Sequence, residues 1–238
     1  MLLFLIRHGE PIYDPDCLTP LGKTQAQALA KRLALYGIDR VFTSTSNRAI
    51  ETAIPLCELL GIKPVELDFC NESHGWRDFS IVRDGKRYWV FSDAECKELF
   101  VSNEVRKLDK KWYEHPGFAD TRCKEGMEFI NCKTDEFFRG LGYIHDREKN
   151  VFHCEKPSDE HIALFAHGGL TMSFLSAVLD IPYPMICTHF AVDHSSMTVI
   201  RFDNKETLMP KVLTFSNDSH LYREGIPTTD DNFLYFKT

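Results

Sequence analysis

Arg7-His8-Gly9-Glu10 sets an imidazole, a potential nucleophile, directly beside a permanently charged guanidinium. The planar fork of an arginine suits phosphate or carboxylate. Taken alone, four such residues would also describe an ordinary surface turn. A second His-Gly pair, in Ala166-His167-Gly168, repeats the arrangement far along the chain. A glycine after each histidine lets the backbone approach a ligand, and a helix opening just beyond Gly168 would point free N–H groups at an anion. Arg48, following Ser44-Thr45-Ser46, supplies a further guanidinium.

Phosphoryl transfer would use such a set. It needs in-line attack, neutralisation of charge on the equatorial oxygens and a proton for the departing alkoxide. A neutral imidazole can be the nucleophile, forming a phosphoramidate and splitting one hard step into two easier ones. Arg7, Arg48 and His167 would then hold the phosphoryl oxygens. For the acid, the best-placed candidate is Glu72 in Asn71-Glu72-Ser73-His74. Its plain alternative is a solvated loop carboxylate. Acting near neutral pH, it would need its pKa raised by burial or by negative charge, including that of the substrate phosphate.

Leu2 to Ile6 is an apolar run too short for a helix and stopped by glycine, which predicts a buried strand with His8 at its carboxyl end. Open α/β sheets bind ligands at that end. Thr19 as N-cap and Pro20 at the first helical position open a helix carrying Leu21, Ala28, Leu29, Leu33 and Tyr36, stopped by Gly37. Ile38 to Phe42 predicts a second strand, and Thr43 to Ser46 a polar turn. A second helix follows, with Ile50, Ala53, Ile54, Cys57 and Leu60 on one face, ending at Gly61. Pro64 to Phe69 predicts a third strand. His161 to Ala166 restores the strand pattern, an apolar helix runs from Leu170 to Leu179, and Ser195 to Phe202 with Lys211 to Phe215 forms a hairpin about Asp203-Asn204. After Asn217 no periodicity is legible.

Between about 76 and 150 the alternation breaks down and charged, aromatic-rich helical segments are expected, including an amphipathic stretch from Gly126 to Leu141. Of Trp76, Tyr88, Trp89, Trp112 and Tyr113, most are expected to pack and a few to line a pocket. Arg77, Arg83, Lys86 and Arg87 are read as a solvated face in preference to a second anion site.

Composition narrows the classes. With 238 residues, 43% hydrophobic and 26% charged, the chain has the make-up of a soluble globular protein large enough for a sizeable core. A formal charge of −7 argues against nucleic acid or an acidic membrane as partner. The eight cysteines show no metal-like spacing, which favours a reducing cytoplasm. His145, His153, Cys154 and His161 lie close in sequence but match no zinc pattern, and are read as surface or packing residues. The apolar start falls short of a signal segment, and no run approaches the roughly 18 apolar residues of a membrane span.

RHGE at 7–10, LTPLGKTQAQALAKRL at 18–33, TSTSNRAIETA at 43–53, NES at 71–73 and AHGG at 166–169 together resemble the histidine phosphatase superfamily, the phosphoglycerate mutase-like proteins, in the family's own order. The resemblance implies a single α/β domain over 1–238. Its mostly parallel sheet would sit between two helical layers, with a helical cap inserted at about 76–150. It implies that His8 is the phosphorylated nucleophile, Arg7, Arg48 and His167 the phosphate pocket with Gly168 beside it, and Glu72 the proton donor, with no metal or other cofactor. The expected partner is a small phosphorylated substrate; oligomeric state is left open.

Pro11 and Asp14 depart from the family's usual Thr or Ser and Asn, and a carboxylate at the Asn position would repel phosphate unless turned away or paired with a cation. The glycolytic mutases of the family carry a longer Trp- and Asn-containing loop where this chain has Pro11 to Cys17. Hydrolysis of phosphomonoesters is therefore expected in preference to mutase transfer, or to a silent module that binds phosphorylated ligands.

Overall fold

The computed structural model of the chain describes residues 1–226. Strand β1 (Leu2–Arg7) leads into a small hairpin, β2 (Pro11–Tyr13) and β3 (Asp16–Leu18). Helix α1 (Pro20–Ala34) begins as its cap predicts, with Thr19 Oγ1 accepting from the Gly22 backbone N–H and Pro20 in the first turn. Then come β4 (Arg40–Ser44), α2 (Asn47–Leu60) and β5 (Val65–Leu67). Gly61, in the left-handed region, closes α2. Strand β4 sits later than expected, taking in two residues of the anticipated polar turn, because Thr43 and Ser44 are buried beside the neighbouring strand. Ile54 is 40% exposed and so does not belong to the buried face of α2.

A short helix, α3 (Glu72–Asp78), opens the stretch expected to be helical, but two hairpins interrupt it: β6 (Ser80–Arg83) with β7 (Lys86–Trp89), and, after α4 (Ala94–Val101), α5 (Asn103–Leu108) and α6 (Cys123–Gly140), β8 (Tyr143–Asp146) with β9 (Val151–Cys154). Strand β10 (His161–Ala166) and α7 (Gly168–Leu179) follow, the helix starting two residues before the expected Leu170. A further helix, α8 (Tyr183–His189), precedes β11 (Met197–Arg201), β12 (Thr207–Leu208) and β13 (Lys211–Asn217). The stretch after Asn217 contains α9 (Ser219–Arg223); its last residues, from 227, lie outside those described.

The main sheet has the order β13-β11-β1-β10-β4-β5, with β1, β10, β4 and β5 mutually parallel and β11 antiparallel to its neighbours. Side chains alternate across it. Phe4 and Ile6 face a core built with Leu29 and Leu33 of α1 and Ala53 and Leu56 of α2. Leu3 and Leu5 face a larger core that takes in Phe138 of α6 and Phe174 of α7, together with Phe79, Phe100, Trp112 and Phe118 from the intervening stretch. Trp112 stacks on Tyr183 and meets Phe100 and Phe118 edge-on, so it is a packing residue. Burial of each such side chain contributes about 1.5–3 kcal/mol.

The topology places the site. Strands β1 and β10 pair in parallel with Arg7 opposite Ala166, which brings His8 and His167, the next residue of each, side by side. From β1 the chain goes on to β4 on one side, and from β10 to β11 on the other, so these adjacent strands end at a topological switch point. No described helix is long and apolar enough to cross a membrane.

Candidate active site

His8 is 1% exposed, and its Nδ1 lies 2.7 Å from the Gly9 carbonyl oxygen. A carbonyl only accepts, so Nδ1 carries the proton and Nε2 presents a lone pair. Arg48 Nε donates to that Nε2 at 3.2 Å. Burial first, then the proximity of His167 and Arg7, holds His8 well below the usual histidine pKa, leaving it neutral. Its backbone is tied down from behind, where Ser195 N–H donates to the His8 carbonyl at 2.9 Å.

His167 meets His8 with ring centroids 5.2 Å apart. Its Nδ1 accepts from Arg48 Nη2 at 3.2 Å, which leaves Nε2–H to donate to Ser44 Oγ at 2.8 Å. Burial, with Arg48 and Arg7 nearby, lowers its pKa well below the usual value too. Glu72, the first residue of α3, is positioned by Asn71, whose side chain caps that helix by accepting from Ser73 N–H. Its Oε2 accepts from Arg48 Nη2 at 3.2 Å, and its Oε1 accepts from the Gly169 N–H at 3.1 Å. All five expected residues thus gather at one end of the sheet.

Arg7 lies alongside. Its Nη1 donates to the Val192 carbonyl at 2.6 Å, and its Nη2 donates to His194 Nε2 at 2.7 Å. A Cβ on Gly168 would sit 3.4 Å from Arg7 Nε, so Gly168 and Arg7 flank one wall. Gly9 and Gly169 serve different ends. A Cβ on Gly9 would come within 2.7 Å of the Gly22 carbonyl oxygen, so Gly9 admits the close packing of its loop on α1 rather than a ligand. At Gly169 a Cβ would meet Trp89 at 3.0 Å and Glu72 Oε1 at 3.1 Å, so the bare backbone there is what admits the carboxylate.

Several participants lay beyond sequence reasoning. Asp16, not Asp14, is the carboxylate that enters: its Oδ1 accepts from Arg48 Nη1 at 2.8 Å and its Oδ2 from Asn47 N–H, while Asp14 is exposed in the hairpin turn. His194 lies 5.6 Å from His8, centroid to centroid, and its pKa is lowered to about 3 by burial and by Arg7. Thr52 accepts from Gly9 N–H and donates back to the Arg48 carbonyl. The pairing of Asp16 with Arg48 was signalled only by the residue types; His194 sits in a loop that no pattern marks.

His8, Glu72 and His167 bring three donor atoms of metal-binding type within 4.8 Å of one another. Arg48 hydrogen-bonds each of those three side chains. With a fixed cation at the focus of the donors, the set suits an anion better than a metal ion. A cavity of about 680 Å³ opens beside it, lined by Tyr13, Asp16, Arg48, Glu72, Trp76, Trp89 and the polar side chains of residues 45–47, 71 and 73. Trp76 and Trp89 thus realise the expectation that a few aromatics line a pocket, whereas none of Arg77, Arg83, Lys86 and Arg87 reaches it.

Comparison with known proteins places this geometry. A model of the histidine phosphatase superfamily (branch 1) matches residues 3–77, the stretch holding Arg7, His8, Arg48 and Glu72. The chain is 22% identical over 217 residues to a putative phosphoserine phosphatase 2 of Hydrogenobacter thermophilus, covering 87% of this chain and 92% of the relative. It is 26% identical over 194 residues to a glucosyl-3-phosphoglycerate phosphatase of Mycolicibacterium vanbaalenii, covering 76% and 75%. Among solved structures, a phosphoserine phosphatase of Entamoeba histolytica in complex with 3-phosphoglyceric acid superposes with a TM-score of 0.61 at 17% identity, over 92% of this chain and 98% of that one. His167 falls outside the matched stretch, yet its strand lies beside that of His8 in the same sheet order. The paired strand ends and the motif residues they carry thus lie in a chain whose residues 3–77 match the histidine phosphatase superfamily (branch 1) and whose fold is similar to that of solved phosphatases.

Proposed function

We propose that this chain hydrolyses small phosphomonoesters through a phosphohistidine on His8. The observation that carries the reading is the neutral Nε2 of His8, oriented by the Nδ1 hydrogen bond to Gly9 and met by Arg48. In the first step Nε2 forms a bond to phosphorus as the P–O bond to the alcohol breaks, and Glu72 gives its proton to the leaving oxygen. In the second, Glu72 takes a proton from water, the hydroxyl oxygen bonds to phosphorus and the N–P bond breaks, which restores the imidazole. Arg7, Arg48 and the N–H group of Gly168, opening α7, neutralise the phosphoryl oxygens. His167 joins them once Nδ1 is protonated, a change that an incoming dianion favours. The scheme uses no metal.

The names of the two relatives, both phosphatases, support hydrolysis, and the short β2–β3 hairpin fills the gap where mutases of the family carry a longer loop. We read residues of about 76–150 as the cap of a single domain, since Trp76 and Trp89 from this stretch wall the cavity. All eight cysteines are free, which suits a reducing cytoplasm.

Brief incubation with labelled ester followed by alkaline quench is expected to leave acid-labile label on the protein; label persisting in His8→Ala would overturn the assignment. Glu72→Gln should slow an alkyl ester by about a hundredfold or more, the usual worth of general acid catalysis, and an aryl ester far less. Equal slowing would count against the acid role.

A further inference from the structure

We propose that the cavity beside this site takes the neutral, hydroxylated ring of a sugar as the alcohol of its phosphate ester and turns away esters that carry a carboxylate. The proposal rests on the phosphatase reading above and names the substrate class of the same site. Among the described residues lining the cavity, Arg48 is the single cation. Its guanidinium is already directed at His8, His167, Glu72 and Asp16, the groups that surround the phosphoryl position. Its neighbour on the cavity wall, Asp16, is a carboxylate, and Glu72 beside it must carry a proton to act as the acid, so neither offers a substrate acid a cation. A substrate acid entering here would face like charge with no cation to receive it.

Four arginines of the cap are engaged elsewhere. Arg77 makes a two-point contact with the buried Asp78 at 2.8 and 2.6 Å, and Arg122 donates to the same carboxylate at 2.9 Å. Arg83 pairs with Glu95 at 2.6 Å, and Arg87 donates to Ser80 Oγ at 2.6 Å. What the wall does offer is flat aromatic surface and neutral hydrogen-bonding groups. Trp76 and Trp89 meet nearly edge-to-face with centroids 5.1 Å apart, and Trp89 is held rigid by stacking on Phe91 and by contact with the bare backbone of Gly169. The cavity is lined as well by the hydroxyl and amide side chains of Thr45, Asn47, Asn71 and Ser73. An apolar ring face and a fringe of hydroxyls is the shape of a sugar, and the volume of about 680 Å³ has room for one ring beside a phosphate.

The test compares kcat/KM for hexose 6-phosphate with that for phosphoserine and 3-phosphoglycerate, alkyl esters with leaving groups of similar quality. The hexose ester is expected to be at least tenfold better. Ser73→Lys, which sets a cation on the exposed rim, should raise kcat/KM for 3-phosphoglycerate about fivefold, and Trp76→Ala should raise KM for the hexose ester about fivefold. Phosphoserine or 3-phosphoglycerate equalling the hexose ester, or a preference that neither variant moves, would overturn the proposal while leaving hydrolysis at His8 intact. Absence of phosphate release from every ester, together with absence of label on His8, would instead remove the phosphatase reading on which it stands.

Discussion

A guanidinium offers five N–H donors in one plane, and Arg48 directs its own at His8, His167, Glu72 and Asp16. The ring of Tyr13 lies over its other side, 5.4 Å from the guanidinium carbon. Two carboxylates therefore share one cation, which under the proposed mechanism also serves an incoming phosphate. Asp16 is the more dispensable of the two, because Glu72 alone accepts from Gly169 and lies 3.6 Å from His167. Asp16→Asn keeps an oxygen for the Asn47 N–H and removes one negative charge from the pocket. Inorganic phosphate, as product inhibitor, should bind about three- to tenfold more tightly to that variant, in line with the ~1 kcal/mol of a partly screened charge pair. Weaker inhibition would mean that Asp16 positions Arg48 rather than competing for it. The sequence carried the five central residues in plain view because their motifs are contiguous. It pointed to Asp14 where Asp16 acts, since only the folded β2–β3 hairpin decides which of the two acids turns inward.

At the scale of elements, the strands and helices of the α/β frame were legible because apolar runs and caps are local signals, as at Thr19 and Gly61. The two hairpins of the cap were not. In Lys86-Arg87-Tyr88-Trp89 an exposed strand carries mostly charged and aromatic side chains, which alternate with no apolar period. A second element-scale feature was equally hidden, a junction of α6, β8 and the end of α7. The side chain of His145 on β8 is 1% exposed, with Nδ1 3.1 Å from Asp135 on α6 and Nε2 2.8 Å from Asp180, which caps α7. With a carboxylate at each nitrogen, both must donate. Burial alone would lower its pKa, but the two carboxylates outweigh it and hold it above the usual value. A histidine with a raised folded pKa stabilises fully below its unfolded value near 6.5 and loses that contribution as pH climbs through the folded one. His145→Ala should therefore cost about 2–4 kcal/mol in urea unfolding at pH 6, since Asp135 and Asp180 keep Arg147 and Lys110 as partners. The cost should be smaller at pH 9; equal costs at the two pH values would show that the loss is one of packing on Phe152 alone.

For the molecule as a whole, the same linkage runs with the opposite sign at four other histidines. His8, His167, His194 and His220 are all buried, and burial is the foremost cause of a lowered pKa at each, to about 3 at His194 and His220. Here the unfolded chain takes up protons before the folded one does. Their contribution is complete above the unfolded value near 6.5 and falls as pH drops, by about 1.4 kcal/mol per pH unit for each group, until the folded pKa is reached. Four groups acting together would remove several kcal/mol between pH 6 and pH 5, a large part of the 5–15 kcal/mol that holds a typical domain. His145 offsets little of this, because its contribution is already complete below about pH 6.5 and stays constant as pH falls further. The fold should therefore collapse cooperatively between about pH 6 and pH 4, with tryptophan fluorescence and far-ultraviolet circular dichroism changing together and with a slope that reports uptake of more than one proton. His220 gives the cleanest check, because its Nε2 bonds to Ser195 and it lies away from the phosphoryl position. Replacing it with Gln should reduce the proton uptake by about one and shift the midpoint to lower pH, provided the amide keeps that hydrogen bond. A protein still folded at pH 4, or a variant with the same slope as the parent, would show that the buried histidines become charged without loss of the structure.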